Sequence, residues 1–346
     1  MNTWPIRENK GSLMKDEVAV SVIIPLYNRG EYIKRTLHSV FQQTIQNFEI
    51  VVVDGHSTDE GPAIVKSFHD PRIVFTVFEE DRGVSVQRNY GVNLAKSDFI
   101  AFLDADDEFS PRHLEILLGL RKKFPDAGLY ATAYRTMEQG NIVNTPNVRA
   151  IPPSPWDGLI PSYIQSAMSG MPFVTCCVGM PKNLFQKTGG FLPGVQWGED
   201  EELWLRIALN YRIAFSWDGD IVWHREASNR TGNTLGLMAF EREPAVTLAL
   251  TALKNNSVSP LEIPFLKEFI AKFEITRALW NIKAGNPKKA REILKNCETR
   301  LFYKRKIRLL IFSYIPMPVF RFSWKTIRLI RQHLFHKDYR HDPWLK

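Results

Sequence analysis

Three carboxylates, Asp104, Asp106 and Asp107, follow the apolar run Phe99–Leu103 in the segment DFIAFLDADDE. Five apolar residues that stop at acids read as a buried strand ending at a sheet's edge. In open α/β sheets, ligands bind beyond such strand ends. Clustered carboxylates repel one another unless a cation or a donor-rich ligand lies between them. A hard divalent ion shared with substrate phosphates answers that repulsion. So does a solvated acidic turn capping a helix begun by Ser110 and Pro111. An EF-hand is excluded, because the sixth loop position is Phe109 where glycine is needed.

Other residues suited to chemistry stand at comparable places. One apolar run is followed by Pro25, Tyr27 and Asn28, and another by Asp54. An aromatic there can stack on a base, and an acid can accept from base N–H groups or ribose hydroxyls. The chain contains neither GxGxxG nor GxxxxGK[ST], so phosphates would need a metal and basic side chains, with Arg88 a candidate. Glu199 and Asp200 open an apolar-periodic segment, where acids also suit a helix N-terminus electrostatically. His224 follows the strand-like DIVWH, and either a structural role or manganese ligation fits an imidazole there. His56 reads as a turn residue, and Cys176 and Cys177 as small side chains filling a crowded interior.

The elements that must position these residues alternate. Val18–Ile24, Phe48–Val53 and Arg72–Phe78 read as strands, with the run before Asp104 as the fourth. Between them, Tyr32, Leu37, Val40 and Phe41 follow helical spacing, as do Val86, Tyr90 and Leu94, with a short helix through Ile64 and Val65. Four alternations with short connections predict a mostly parallel, Rossmann-like sheet with helices on both faces. HLEILLGLRKKF continues as a helix, and AGLYATAY and PFVTCCVGM as strands. IPPSPWDGLIPSY reads as a stiff loop packed by its tryptophan or as a wall on the acceptor side. EFIAKFEITRALWNIKAGNPKKAREILKNC predicts two helices joined at Gly285, Asn286 and Pro287.

Four stretches, VSVIIPLYN, FEIVVVDGHSTDEG, DRGVSVQRNYGVNLAKSDFIAFLDADDEF and GGFLPGVQWGEDEELWLRIAL, together resemble glycosyltransferase family 2, whose members have the GT-A fold. The resemblance implies an α/β GT-A domain over residues 18–240 after an N-terminal tail (1–17). A helical appendage (241–299) and a basic amphipathic segment (300–346) would follow. It further implies an inverting glycosyltransferase that takes a nucleotide-sugar, with UDP the expected nucleotide, and Mn²⁺ or Mg²⁺. Pro25, Tyr27, Asn28, Asp54, Arg88, Asp104 and Ala105 would hold the donor. Asp106 and His224 would ligate the metal, and Asp200 would deprotonate the acceptor hydroxyl of a glycan or lipid-linked substrate in cell-surface polysaccharide synthesis. One departure is visible: the family often has two acids where this chain has Asp54 followed by Gly55 and His56. A non-catalytic nucleotide-sugar-binding scaffold is the alternative, although a binder has no need of Asp200.

Composition bounds the rest. At 44% hydrophobic and 24% charged residues, the chain has ample core for a globular fold. Three cysteines, two of them adjacent, make no disulfide framework, so a reducing compartment is expected. MNTWPIRENKGSLMKDE carries no apolar stretch of the kind a secretory leader has, and no run approaches the ~18 residues needed to cross a bilayer. The expectation is a cytoplasmic protein on the inner membrane's cytoplasmic face. Residues 300–346 hold 12 Lys or Arg against 2 Asp, a net +10, leaving −2 for residues 1–299 of the overall +8. Phe320, Trp324, Ile327, Ile330 and Leu334 fall on one helical stripe beside Arg321, Lys325, Arg328 and Arg331. Such a stripe suits an anionic membrane surface, docking on the protein itself or nucleic acid; without a nucleic-acid-binding fold, the membrane is the expectation.

Overall fold

The β-branched runs form strands buried along their whole length: VSVIIPL in β1 (Val20–Leu26) and FEIVVVD in β2 (Phe48–Asp54). Strands with both faces covered need no polar alternation, which is the signature of a parallel sheet between helix layers. The computed structural model describes residues 18–315 apart from 139, 145–147, 149, 196 and 226–241. With β3 (Ile73–Val77) and β4 (Phe99–Phe102), the first four strands lie parallel in the order β3-β2-β1-β4. Helices α1 (Gly30–Phe41), α2 (Gly61–Ser67) and α3 (Val84–Leu94) connect them. On α1, Ile33, Leu37 and Val40 are fully buried, the stripe a helix lays against a sheet.

β1 does not stop at Pro25 but runs on to Leu26, with Pro25 opposite Val53. A proline inside a central strand needs its missing donor to fall where no partner waits. Ile23 accepts from Leu103 N–H on the β4 side, and Leu26 from Gly55 N–H on the β2 side. Residue 25 therefore faces β4, and β4 pairs with β1 only as far as Phe102.

Beyond β4 the sheet becomes mixed. β9 (Val178–Pro181) runs antiparallel between β4 and β6 (Leu129–Glu138), and β10 (Ile213–His224) is parallel to β6. β5 (Glu108–Phe109), β7 (Asn141–Asn144) and β8 (Asp157–Leu159) add short antiparallel edges. The stretch expected as one strand, PFVTCCVGM, instead makes a single tight 3₁₀ turn at Thr175–Cys177 before β9 begins. That turn carries both buried thiols under the end of β4. Helices α4 (His113–Lys123), α5 (Tyr163–Ser169), α6 (Lys182–Thr188) and α7 (Glu199–Ala208) complete this part of the chain.

α8 (Pro244–Lys254), α9 (Ile263–Lys283), α10 (Pro287–Asn296) and α11 (Tyr303–Phe312) follow. Leu266, Phe269 and Phe273 of α9 join the main core. Further along α9, Ile275, Leu279 and Ile282 form a second core with Ile293, Leu294 and Leu309. One long helix thus belongs to both cores. The boundary expected at residue 240 and the stripe expected at Phe320–Leu334 lie outside the described residues.

His113, at the start of α4, is fully buried, stacks on Phe109 at 4.2 Å and bonds the Gly219 carbonyl through Nδ1 at 2.7 Å. Burial, opposed in part by that hydrogen bond, lowers its pKa to about 4. The folded chain therefore keeps this ring neutral where the unfolded chain protonates it. Its contribution is fully present above pH ~6.5 and is lost as pH falls towards 4. From pH 7 to 5 that loss is about 2 kcal/mol. Denaturant unfolding of wild type and His113→Gln at both pH values should show the acid loss shrinking by this amount in the variant. Equal slopes would contradict it.

Candidate active site

The ends of β1 and β2 are knitted together by one serine. Ser57 Oγ donates to Asp54 Oδ1 at 2.5 Å, while Ser57 N–H donates to Asp54 Oδ2 at 3.1 Å. Asn28 N–H donates to Ser57 Oγ at 2.9 Å, and Asn28 Oδ1 accepts from Thr58 N–H at 2.9 Å. Asp54 is fully buried, so its carboxylate shapes the turn, while Tyr27 stands 42% exposed beside it. His56 has φ 72°, the left-handed turn conformation. At Gly55, where the family often has a second acid, a Cβ would lie 1.8 Å from Gln87 Nε2, so that flexible side chain would have to move.

After β4, residues 104–107 form a turn closed by Asp107 N–H on the Asp104 carbonyl at 3.1 Å. α1 holds that turn from below. Thr36 Oγ1 lies within hydrogen-bond reach of the Ala105 and Asp107 carbonyls, and Arg35 Nη2 donates to the Asp106 carbonyl at 2.8 Å. Arg29 Nε reaches Asp106 Oδ2 at 3.1 Å. Asp107 points inwards, where Oδ1 accepts from His224 N–H at 2.8 Å and Oδ2 from the Cys176 thiol at 2.9 Å. Burial, then the charges of Asp106 and Asp104, raise the Asp107 pKa well above the usual carboxylate range. His224 Nε2 lies 2.6 Å from Glu108 Oε1, which also takes an ion pair from Arg35.

α7 brings the second acidic group to the same place. Arg88, only 3% exposed, spans the gap: Nη2 donates to Asp104 at 2.7 Å and Nη1 to Glu199 at 2.9 Å. Its guanidinium lies over the Phe191 ring at 5.1 Å. Burial alone would lower its pKa, but the charges of Asp104 and Glu199 outweigh burial and raise it. Asp200 Oδ2 accepts from Thr175 Oγ1 at 3.2 Å and Oδ1 from Glu201 N–H at 2.8 Å. Burial raises the Asp200 pKa, with Arg88 opposing. The helix begins at Gly198, whose φ of 79° favours glycine, and a Cβ there would lie 1.6 Å from Glu243 Oε1 on the neighbouring element.

The residues singled out from sequence are thus distributed in three groups. Pro25, Tyr27, Asn28 and Asp54 lie at the β1 and β2 ends, and Asp104, Ala105 and Asp106 in the turn after β4. Arg88 joins that turn to α7, which carries Asp200. Among the described residues, the donor atoms of Asp104, Asp107 and Cys176 lie within 4.8 Å of one another. Asp106, engaged with Arg29, and His224, engaged with Glu108, stand outside that group. Sequence reasoning did not name Thr175, gave Cys176 only a packing role and gave Glu199 no partner. The thiols carried no basic neighbour in sequence to mark them, and Glu199 looked like one of four acids on a helix end.

Comparisons with known proteins show what the chain is similar to. The sequence profile of glycosyl transferase family 2 matches residues 21–179. An uncharacterised glycosyltransferase, RC0461, from Rickettsia conorii is 31% identical over 202 residues, covering 57% of this chain and 31% of its own length. The putative teichuronic acid biosynthesis glycosyltransferase TuaG of Bacillus subtilis is 40% identical over 98 residues, covering 28% of this chain and 39% of its own. The chain spans less than a third of the length of the first curated relatives it matches. In three dimensions it is similar to S. aureus TarS 1–349, solved with UDP-GlcNAc (TM-score 0.55, 18% identity, 88% of this chain and 92% of that one). It is equally similar to the mannosyltransferase PcManGT of Pyrobaculum calidifontis, solved with GDP-Man and Mn²⁺ (TM-score 0.55, 18% identity, 93% and 88%). Residues 21–179 thus match glycosyl transferase family 2, and the architecture around them is similar to the GT-A fold of those solved structures.

Proposed function

We propose that the protein is an inverting glycosyltransferase that moves a sugar from a nucleotide-sugar, UDP-linked by expectation, to a hydroxyl of a glycan or lipid-linked acceptor in surface-polysaccharide synthesis. The observation that carries this reading is Arg88, which ties Asp104 of the β4 turn to Glu199, next to the carboxylate of Asp200. In this reading Arg88 thereby holds the donor-side acid close to the helix end that carries the base. The ligands of TarS and PcManGT, and the teichuronic acid named for TuaG, support the donor class and the pathway class.

In this reading Tyr27 offers its exposed ring to the base, and Asn28 and Asp54 shape the turn that receives it. Asp200 takes the proton of the acceptor hydroxyl, so that the oxygen can attack the anomeric carbon from the face opposite the departing nucleotide. The carboxylates at the β4 end are hard oxygen donors and fit a hard divalent ion. Asp104 and Asp107 would hold it, with Asp106 and His224 joining them on leaving Arg29 and Glu108. When bound, Mn²⁺ or Mg²⁺ supplies positive charge that stabilises the leaving diphosphate. Arg29 lies against Asp106 and adds a fixed cation at the same edge. The basic residues 300–346 would keep the enzyme on the inner membrane, near a lipid-linked acceptor.

The test is a thermal-shift panel of nucleotide-sugars with and without Mn²⁺, followed by UDP titration of Asp106→Asn. We expect Mn²⁺-dependent UDP affinity to fall by at least the roughly 10–100-fold that losing a supporting residue costs a metal site. An Arg29→Met control separates loss of the carboxylate from loss of its ion pair. Unchanged Mn²⁺-dependent affinity in Asp106→Asn would remove that residue from the metal site.

A further inference from the structure

α11 is amphipathic in an unusual sense. Its inward side buries Leu309 (4% exposed), with Ser313 of the following turn, against α9 and α10. Its outward side carries Tyr303 (58%) and Ile311 (59%), with Leu301 (65%) before the helix and Tyr314 (65%) just after it. Lys304 and Arg308, both exposed, share that side by helical spacing. Arg291 reaches over from α10, donating to the Ser313 carbonyl and lying 4.6 Å over the Tyr314 ring. Residues 300–315 contain five Lys or Arg and no acid.

Large apolar side chains grouped on one exposed surface mark an interaction site. The kind of partner follows from what lies between them. Cations interleaved with aliphatic and aromatic side chains match a bilayer interface, where rings and chains enter the headgroup layer and Lys and Arg reach anionic lipids. A nucleic-acid backbone would use the cations but leave Leu301 and Ile311 without a partner. The absence of any acid between 300 and 315 argues for an occupant of uniformly negative charge.

We propose that the outward face of α11, centred on Leu301, Lys304, Arg308 and Ile311, docks on an anionic phospholipid bilayer. It starts at residue 301, well beyond the end of the family-matched segment at residue 179. The proposal rests on the membrane-facing reading of residues 300–346 and not on the transfer chemistry. Vesicle binding needs neither donor nor acceptor, so the two can fail separately.

The experiment uses the full chain and sedimentation with vesicles of phosphatidylcholine alone or mixed equally with phosphatidylglycerol. Wild type should bind the mixed vesicles and not the neutral ones. Lys304→Glu/Arg308→Glu should weaken binding by roughly thirty-fold or more, from about five-fold per cation. Leu301→Ser/Ile311→Ser should weaken binding in a way that added salt does not mimic. Both variants should keep the wild-type melting temperature and nucleotide-sugar binding, since the substituted groups are exposed. Four results would overturn the proposal: no binding by wild type, equal binding to neutral vesicles, undiminished binding by both variants, or a wild-type dimer that Leu301→Ser/Ile311→Ser dissociates.

Discussion

Asp200→Asn is expected to keep its fold and its affinity for the nucleotide-sugar while losing transfer by ~10²–10⁴-fold, the usual worth of a positioned general base. The amide is nearly isosteric: its oxygen can still accept from Glu201 N–H and its NH2 can donate to Thr175 Oγ1, so structural loss should be small. What disappears is the capacity to accept a proton. A sugar hydroxyl is a poor nucleophile near neutral pH, and the cost therefore falls on the chemical step. The pH profile adds an independent readout. Burial lifts the Asp200 pKa above the ordinary aspartate value, so the wild-type acid limb should lie at higher pH than an exposed aspartate would give. Only the carboxylate form can act as base, hence the rate rises with pH through that limb and flattens above it. The measurement is single-turnover transfer with donor saturating, together with the anomeric configuration of the product. Near-wild-type transfer, or retained configuration, would show that another group performs this step.

Arg88→Met should have the second-largest effect, and on two observables at once. Removing the guanidinium leaves Glu199 and Asp104 facing each other without their shared cation. Breaking a buried pair from one side costs about 3–5 kcal/mol. The lower end is expected here, because the Asp104 side chain is 31% exposed and water can compensate it in part. Donor binding should weaken as well, since the β4 turn loses a strut that ties it to α7. Arg88→Lys should rescue little, because one ammonium lacks the fork that meets two carboxylates in different directions. A double-mutant cycle with Glu199→Gln provides the discriminating number. Denaturant unfolding should show Arg88→Met costing at least about 1 kcal/mol less in the Glu199→Gln background, as expected for residues in one network. Additive losses would mean that the bridge contributes no coupling.

Much of this arrangement is written locally. The four parallel strands are legible because each is a short apolar run with helical periodicity between it and the next, and both signals depend on a few consecutive residues. The acids after β4 are legible for the same reason, since an apolar run ending in carboxylates has a meaning independent of the rest of the chain. Even the α9–α10 junction follows from the Gly285-Asn286-Pro287 punctuation.

Tertiary structure decided the partnerships. Nothing local reveals that Arg88 lies between Asp104 and Glu199, because 111 residues separate Arg88 from Glu199 in the chain. The same holds for Cys176, which reads as interior filler until the fold sets its thiol against Asp107. β9 is a further case: its sequence announces a strand, but its antiparallel place between β4 and β6 depends on segments far away in the chain. Pro25 shows both levels at once. Sequence alone marks it as a strand breaker, yet β1 continues through it because β4 has already diverged and no partner requires its missing N–H. Periodicity and turn chemistry are properties of neighbours along the chain, whereas ion pairs, orphaned donors and open sheet edges exist only once distant segments meet.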